Sequence, residues 1–488
     1  AYSWGNTVDP ITPGLIDRPY VARELVPYGS APSAAFLNAF DHRLQEGISE
    51  PSSLAAIAQL LGAGDIVYRA DLQYERFNTP RPRQFWDWFR RDIAGLREPE
   101  TFGDAKPNNT TKFPMTDEYH LGADPQLPWP PSVVVRAVDE PRNIVRTVPA
   151  AAPQIVAGDA EGVVDLAESG LLDVDDPVLF AATFTGPDAA LSSRIEPDSR
   201  LILTDTNRRR ARRWSTVREN TGYTEAAGEK PLRTDLRDVR LDVFPDATDD
   251  SYTVATYQGV KSISATDYGN AISYTPEDRP AMAIDGDDHT AWRTGGFVDP
   301  RGEFLRIEFE NPQQLSQLRL LQPITGARNR FITKLEIRFS DGTKVERSLD
   351  GTVSRERDGQ LVTFDERSTT WLELEVVDTN VPPQFLNLGY SSVGFAEIAI
   401  PDVSATEAIR LPTDLLDAVG TDDLAHPLDI VMTRLRSWQR PARDDEEPVM
   451  RRQFTLPSAR SFELSGAARI SAYAPDEAID WALGQSVP

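Results

Sequence analysis

The run Ala283-Ile284-Asp285-Gly286-Asp287-Asp288-His289-Thr290-Ala291-Trp292 concentrates carboxylates, a hydroxyl and the free carbonyls of a tight turn. Hard divalent cations take several oxygen ligands at close range, so calcium coordination is the chemistry this stretch offers. Asp-Gly is equally a favoured turn dipeptide, and the turn alone requires no ion. An EF-hand is excluded, because the closing glutamate of that loop would fall on Gly296. A second conspicuous stretch is Asn207-Arg208-Arg209-Arg210-Ala211-Arg212-Arg213-Trp214. Guanidinium groups pair with phosphate or acidic glycan in bidentate fashion. In so acidic a protein, the preferred reading is a solvated helix face paired with nearby Asp and Glu.

Bond-making chemistry finds no comparable setting. The histidines His42, His120, His289 and His426 are scattered without H-E-x-x-H spacing, and no serine elbow is evident. His289 is read as an exposed spacer in its loop. Among 76 acidic residues chance carboxylate pairs abound, and none stands in a recognisable hydrolase setting. The absence of cysteine removes disulfides, thiolate metal sites and cysteine nucleophiles together. Gly158-Asp159-Ala160-Glu161-Gly162 lacks the G-x-G-x-x-G spacing of dinucleotide sites. A net charge of −25 repels phosphate backbones and makes nucleic acid a poor partner. No stretch approaches the roughly 18 apolar residues that span a bilayer. The chain opens at Ala1 without a signal segment, as a mature product or a piece of something longer would.

Elements must hold these residues in place. At 488 residues the chain exceeds what one hydrophobic core organises. Ser33 is expected to cap a helix presenting Phe36, Leu37, Phe40 and Leu44, and a second helix places Leu54, Ile57 and Leu61 inward before Gly62. Strand 65–69 and helix 84–93 follow, then a long loop over 98–131. Strands at 133–138, 154–157, 178–180 and 201–204, with a helix at 161–169, imply a small α/β layer.

Beyond an acidic linker at 246–250 the period changes to two. Leu305, Ile307 and Phe309, then Leu318 and Leu320, then Leu335, Ile337 and Phe339, then Leu372, Leu374 and Val376 alternate with polar residues, as a β-sandwich requires. Past Ile400 a β-leaning segment covers 428–435 and 454–470, with a short terminal helix at 475–483. The expected fold is multidomain α/β plus all-β. A mixed α/β region with a long loop spans 1–130, a small α/β layer 131–245, a jelly-roll-type β-sandwich 255–402, and a further β-rich C-terminal segment 403–488.

The pattern Ala-x-Asp-Gly-Asp-x-x-Thr-Ala-Trp, followed by alternating strands and closed by Gly394-Phe395-Ala396-Glu397-Ile398, resembles the discoidin or coagulation factor 5/8 type C family. The resemblance covers roughly 259–401. It implies a structural calcium whose side-chain ligands by position are Asp285, Asp287, Thr290 and Glu397, with carbonyls near Ala283 and Asp288. Asp288 remains a rival to Asp287. In such modules, end loops contact sugars. The matching candidates are Arg328, Asn329 and Arg330 and the loop carrying Phe297, each otherwise a solvated loop. Trp292 is counted among the sugar contacts, although a core anchor of large buried area is its preferred reading.

A longer series also runs in order: Trp4 to Asp9, Asp17 to Arg23, Asp71 to Arg76, Leu203-Thr204-Asp205 with its arginines, and Tyr274 to Trp292. Together they resemble the soluble region of the actinobacterial α-(1→3)-arabinofuranosyltransferase family. That family implies a membrane enzyme transferring pentosyl units from a polyprenyl-phosphate donor into arabinogalactan and lipoarabinomannan. Its catalytic acid lies in a membrane domain ahead of the region seen here, so no catalytic residue transfers. The resemblance implies a non-catalytic, carbohydrate-binding and scaffolding region outside the plasma membrane in the cell envelope, partnered by cell-wall arabinan or another glycan. An independent arabinan-active glycoside hydrolase and a protein–protein interaction module are the alternatives.

Overall fold

The computed structural model describes residues 2, 4–5, 7, 11–22, 30–46, 48–72, 81–107, 124, 126–186, 190–213, 220–231, 242–269, 275–295, 299–324, 329–383, 391–434, 447, 449–467, 480–481 and 483–484. Among these, no helix is long and apolar enough to cross a membrane.

Gln154–Ala157 is buried at every position, as a central parallel strand must be. It pairs in parallel with Val178–Phe180 on one side and Arg200–Thr204 on the other. Helix Ala160–Glu168 begins at Asp159, whose carboxylate accepts the Glu161 N–H at 3.0 Å. A Cβ on Gly158 would sit 2.0 Å from Thr204 Oγ1, so glycine lets helix and strand close up there. Helices Ala31–Glu46 and Ser53–Leu61 pack on this helix. Arg43 is buried against it, 2.6 Å from Asp165 and 2.8 Å from Glu168.

Several expectations are revised. The first long helix starts at Ala31, so Ser33 lies inside it, and Ser30 Oγ accepts the Ser33 N–H instead. The helix expected at 84–93 is Pro82–Phe89, because proline favours the first turn. Val133–Ala137 belongs to an antiparallel sheet between Asp65–Arg69 and Glu100–Phe102, not to the parallel layer. The C-terminal segment is not a separate β unit, since Leu428–Val431 is the fourth strand of the parallel sheet beside Arg200–Thr204. Thr406–Arg410 and Arg452–Gln453 form a further sheet with Val254–Gln258.

In the sandwich, Phe304–Leu321 and Gln360–Thr379 run antiparallel for most of their lengths. Register shifts between Glu308 and Gln313 and between Leu315 and Gln317 bend the ribbon, as bulges do. Ile332–Phe339 and Lys344–Ser348 continue the sheet on one side, and Ser262–Ala265 and Glu397–Ala399 on the other. Leu305, Ile307, Leu318, Leu320, Leu335, Ile337, Phe339, Leu372 and Leu374 are all sealed in one core.

Candidate functional site

The acidic loop is built on a short 3-10 turn, Pro280–Ala283, whose residues are buried. Arg279 anchors that turn from below with an ion pair to Glu407 at 2.6 Å. The chain then reverses at Gly286, whose φ of +81° is the left-handed conformation glycine adopts without strain. Asp285 Oδ1 accepts the Asp287 N–H at 3.1 Å, and Thr290 Oγ1 donates to Asp285 Oδ2 at 2.9 Å. Strand Glu397–Ala399, held against Arg319 to Leu321, returns Glu397 to the loop, where its Oε2 accepts the Gly286 N–H at 3.1 Å.

Asp285, Thr290 and Glu397 are thus brought together across more than a hundred residues of chain, |i−j| being 111 for the Gly286 contact. Burial pushes the Glu397 carboxyl up to about 7, and the neighbouring charges of Asp285 and Asp287 push the same way. Asp285 is also raised, first by burial, with the Asp287 charge contributing. Mutually repelling carboxylates, two exposed on Asp285 and Asp287 and one half-buried on Glu397, with a hydroxyl and the nearby Ala283 turn, suit a hard dication, which would relieve the repulsion. The loop could hold calcium with Asp285, Asp287, Thr290 and Glu397.

Asp287 and Asp288 differ in their surroundings. Asp288 Oδ2 accepts from Arg357 Nε at 3.1 Å, whereas the Asp287 charge acts on Asp285 and Glu397. His289 is 87% exposed, with Nδ1 2.9 Å from a carboxylate oxygen of both Asp287 and Asp288. These three also form a compact group whose ligand atoms lie within 4.8 Å of one another.

The sugar-contact candidates fare differently. Trp292 is 0% exposed. Its Nε1 donates to the Asp267 carbonyl at 2.9 Å and its ring packs near Phe395. It anchors the core and offers no face to a sugar, which corrects its placement among the sugar contacts. Arg330 is 2% exposed, and its backbone N–H is held by Ser391 Oγ at 2.9 Å, so its guanidinium is also withdrawn from the surface. Asn329 stays partly exposed, its carbonyl accepting from Asn380 Nδ2 at 3.1 Å. Arg328 and Phe297 lie outside the described residues.

The arginine run is not helical over its described part, and Arg208, Arg209 and Arg210 are largely withdrawn from solvent, while the expected pairing with Asp and Glu is present for these three. Arg208 pairs with Asp205 and Glu447, Arg209 with Glu225 and Asp249, and Arg210 with Glu161. Sequence reading missed Arg279–Glu407 and Arg357–Asp288, because partners so far apart in the chain leave no local spacing to detect.

Residues 1–238 match the family described as alpha-(1→3)-arabinofuranosyltransferase, N-terminal GT-C domain. Residues 262–385 match the F5/8 type C domain. An alpha-(1→3)-arabinofuranosyltransferase of Mycolicibacterium smegmatis is 24% identical over 356 residues, 70% of this chain and 24% of the relative. The cryo-EM structure of arabinofuranosyltransferase AftD from mycobacteria superposes with a TM-score of 0.59 at 19% identity, over 84% of this chain and 30% of that one. A variant of that enzyme gives a TM-score of 0.60 at the same identity, over 84% and 31%. The chain spans less than a third of the length of these relatives.

Proposed function

We propose that this chain, which resembles the α-(1→3)-arabinofuranosyltransferase family over 1–238 and the F5/8 type C domain over 262–385, is the non-catalytic carbohydrate-binding and scaffolding region of a membrane enzyme that builds cell-wall arabinan. The observation that supports this reading is the F5/8 type C match over 262–385 in a chain whose residues 1–238 match the arabinofuranosyltransferase family. The region acts on the outer side of the plasma membrane, holding the polymer near a catalytic apparatus elsewhere in the protein. Asn329, partly exposed, is the end-loop residue put forward for contact with a sugar.

Calcium serves the fold in this reading. Asp285, Asp287, Thr290 and Glu397 hold it, with the Ala283 carbonyl, and the ion fixes the loop against strand Glu397–Ala399.

Isothermal titration with arabinan and arabinogalactan fragments tests the glycan part. Saturable binding at or below millimolar concentration is expected. Absence of binding in that range removes the lectin role, and release of arabinose by the chain itself would reassign it as a hydrolase.

A further inference from the structure

Beside the acidic loop the sandwich carries an open cavity of about 340 Å³ that borders the proposed ion site through Asp287 and Glu397. Four segments distant in sequence converge on it: the loop 286–289, the end of strand Phe304–Leu321, the turn at Arg357 and Asp358, and strand Glu397–Ala399. Leu321 and Ala399 supply a small apolar wall. Arg319 and Arg357 bring hydrogen-bond donors, and Asp288 and Asp358 bring acceptors.

Both arginines are steadied by one contact. Arg319 Nη1 donates to the Asp358 carbonyl at 3.0 Å, and Arg357 Nε donates to Asp288 Oδ2 at 3.1 Å. A guanidinium carries several N–H donors in a fixed fork, so each arginine retains donors for a ligand after these bonds.

The balance of charge selects the ligand. With Asp287 and Glu397 given to the ion, the lining sets the carboxylates of Asp288 and Asp358 against the guanidiniums of Arg319 and Arg357. A field so balanced favours neither an anion nor a cation. A neutral polyol donates and accepts from every hydroxyl, so it satisfies both kinds of group while its C–H face rests on Leu321 and Ala399. The volume lies at the lower end of the roughly 300–1,000 Å³ range of small-molecule pockets, which suits a short sugar unit.

We infer that this cavity is a binding subsite for a neutral sugar unit of a glycan chain. The inference rests on the glycan-binding reading and gives it a second location. Asp287 and Glu397 then border both the ion and the ligand.

The test is titration of the full chain with linear arabinofuranose oligosaccharides, followed by calorimetry and by the melting temperature. Arg357→Ala removes a donor from a side chain that is 87% exposed, and Ala399→Trp fills the cavity from an exposed strand position. Each is expected to weaken binding by about tenfold, with Arg357→Ala melting as the unsubstituted chain does. Asn329→Ala serves as the comparison in the end loop. If Arg357→Ala and Ala399→Trp both bind as the unsubstituted chain does while Asn329→Ala loses binding, the cavity is not a sugar site and the glycan-binding reading survives. If the unsubstituted chain binds no glycan, both readings fall.

Discussion

Glu397 and Trp292 show what single residues do at the loop. Glu397 is half-buried with a carboxyl raised to about 7, beside Asp285 and Asp287. A ligand that binds only the native state at about one hundred times its dissociation constant adds about 2.7 kcal/mol. Calcium should therefore raise the melting temperature by several degrees and chelator lower it, as read by differential scanning fluorimetry. Glu397→Gln and Asp285→Asn should each abolish most of that rise, and a melt indifferent to calcium and chelator would exclude the ion. Trp292 acts through packing, not contact with ligand. Trp292→Ala should cost about 3–5 kcal/mol of stability by the cavity it leaves, measured by urea denaturation, whereas Asn329→Ala should cost little.

Among the elements, the pair Trp292–Arg293 with Gly394–Phe395 is held by close backbone approach. A Cβ on Gly394 would lie 1.8 Å from the Trp292 carbonyl, so Gly394→Ala must push the two strands apart. Thermal melting should show a loss of stability for Gly394→Ala and almost none for Gly466→Ser, where the added atom meets nothing within 4 Å and the backbone is not left-handed. Helix Asp414–Val419 offers a pH test. Burial pushes the Asp414 carboxyl up to about 6, against hydrogen bonds that favour its charge, with Asp250 and Asp417 adding repulsion. An unfolded aspartate titrates near about 3.9, so the native state holds the proton longer and stability falls as pH rises through the interval up to about 6. Asp414→Asn lacks this slope. Its melting temperature relative to the unsubstituted chain should rise between acid and neutral pH, and a constant difference would show that Asp414 does not titrate there.

At the scale of the whole molecule, the C-terminal segment is what joins the layers. Leu428–Val431 edges the parallel sheet, Thr406–Arg410 extends Val254–Gln258, and Arg452 is buried with Nε 2.5 Å from Asp205 Oδ2. Removing Arg452 leaves Asp205 and Glu447 to share Arg208 alone, a loss bounded by the roughly 3–5 kcal/mol of a fully uncompensated buried charge. Arg452→Ala should therefore destabilise the chain by up to that order in a denaturant titration. Truncation after Asp402 should expose the flank of Arg200–Thr204 and lose the cooperative melt of the α/β layer while the sandwich keeps its own. Equal melting of the truncated and full chains would show that the segment is dispensable.

The sequence by itself determined the local patterns. Alternation in Leu305 to Phe309 and Leu372 to Val376 specifies strands with one buried face, because side chains on a strand change sides at every residue. Gly62 ends its helix in the left-handed conformation, and Asp285-Gly286-Asp287 makes its turn, because both depend on neighbouring backbone alone. The acidic run also marked where an oxygen-rich loop would form. Only the tertiary structure decided which strands shared a sheet. Leu428–Val431 reads equally well as a separate β segment, and its place beside Arg200–Thr204 follows from the burial both faces need. The same holds for the arginine run, whose partners Glu447, Asp249 and Glu161 are remote in sequence. It holds too for Trp292 and Arg330, which are chemically suited to a sugar but sealed by packing that no local spacing records.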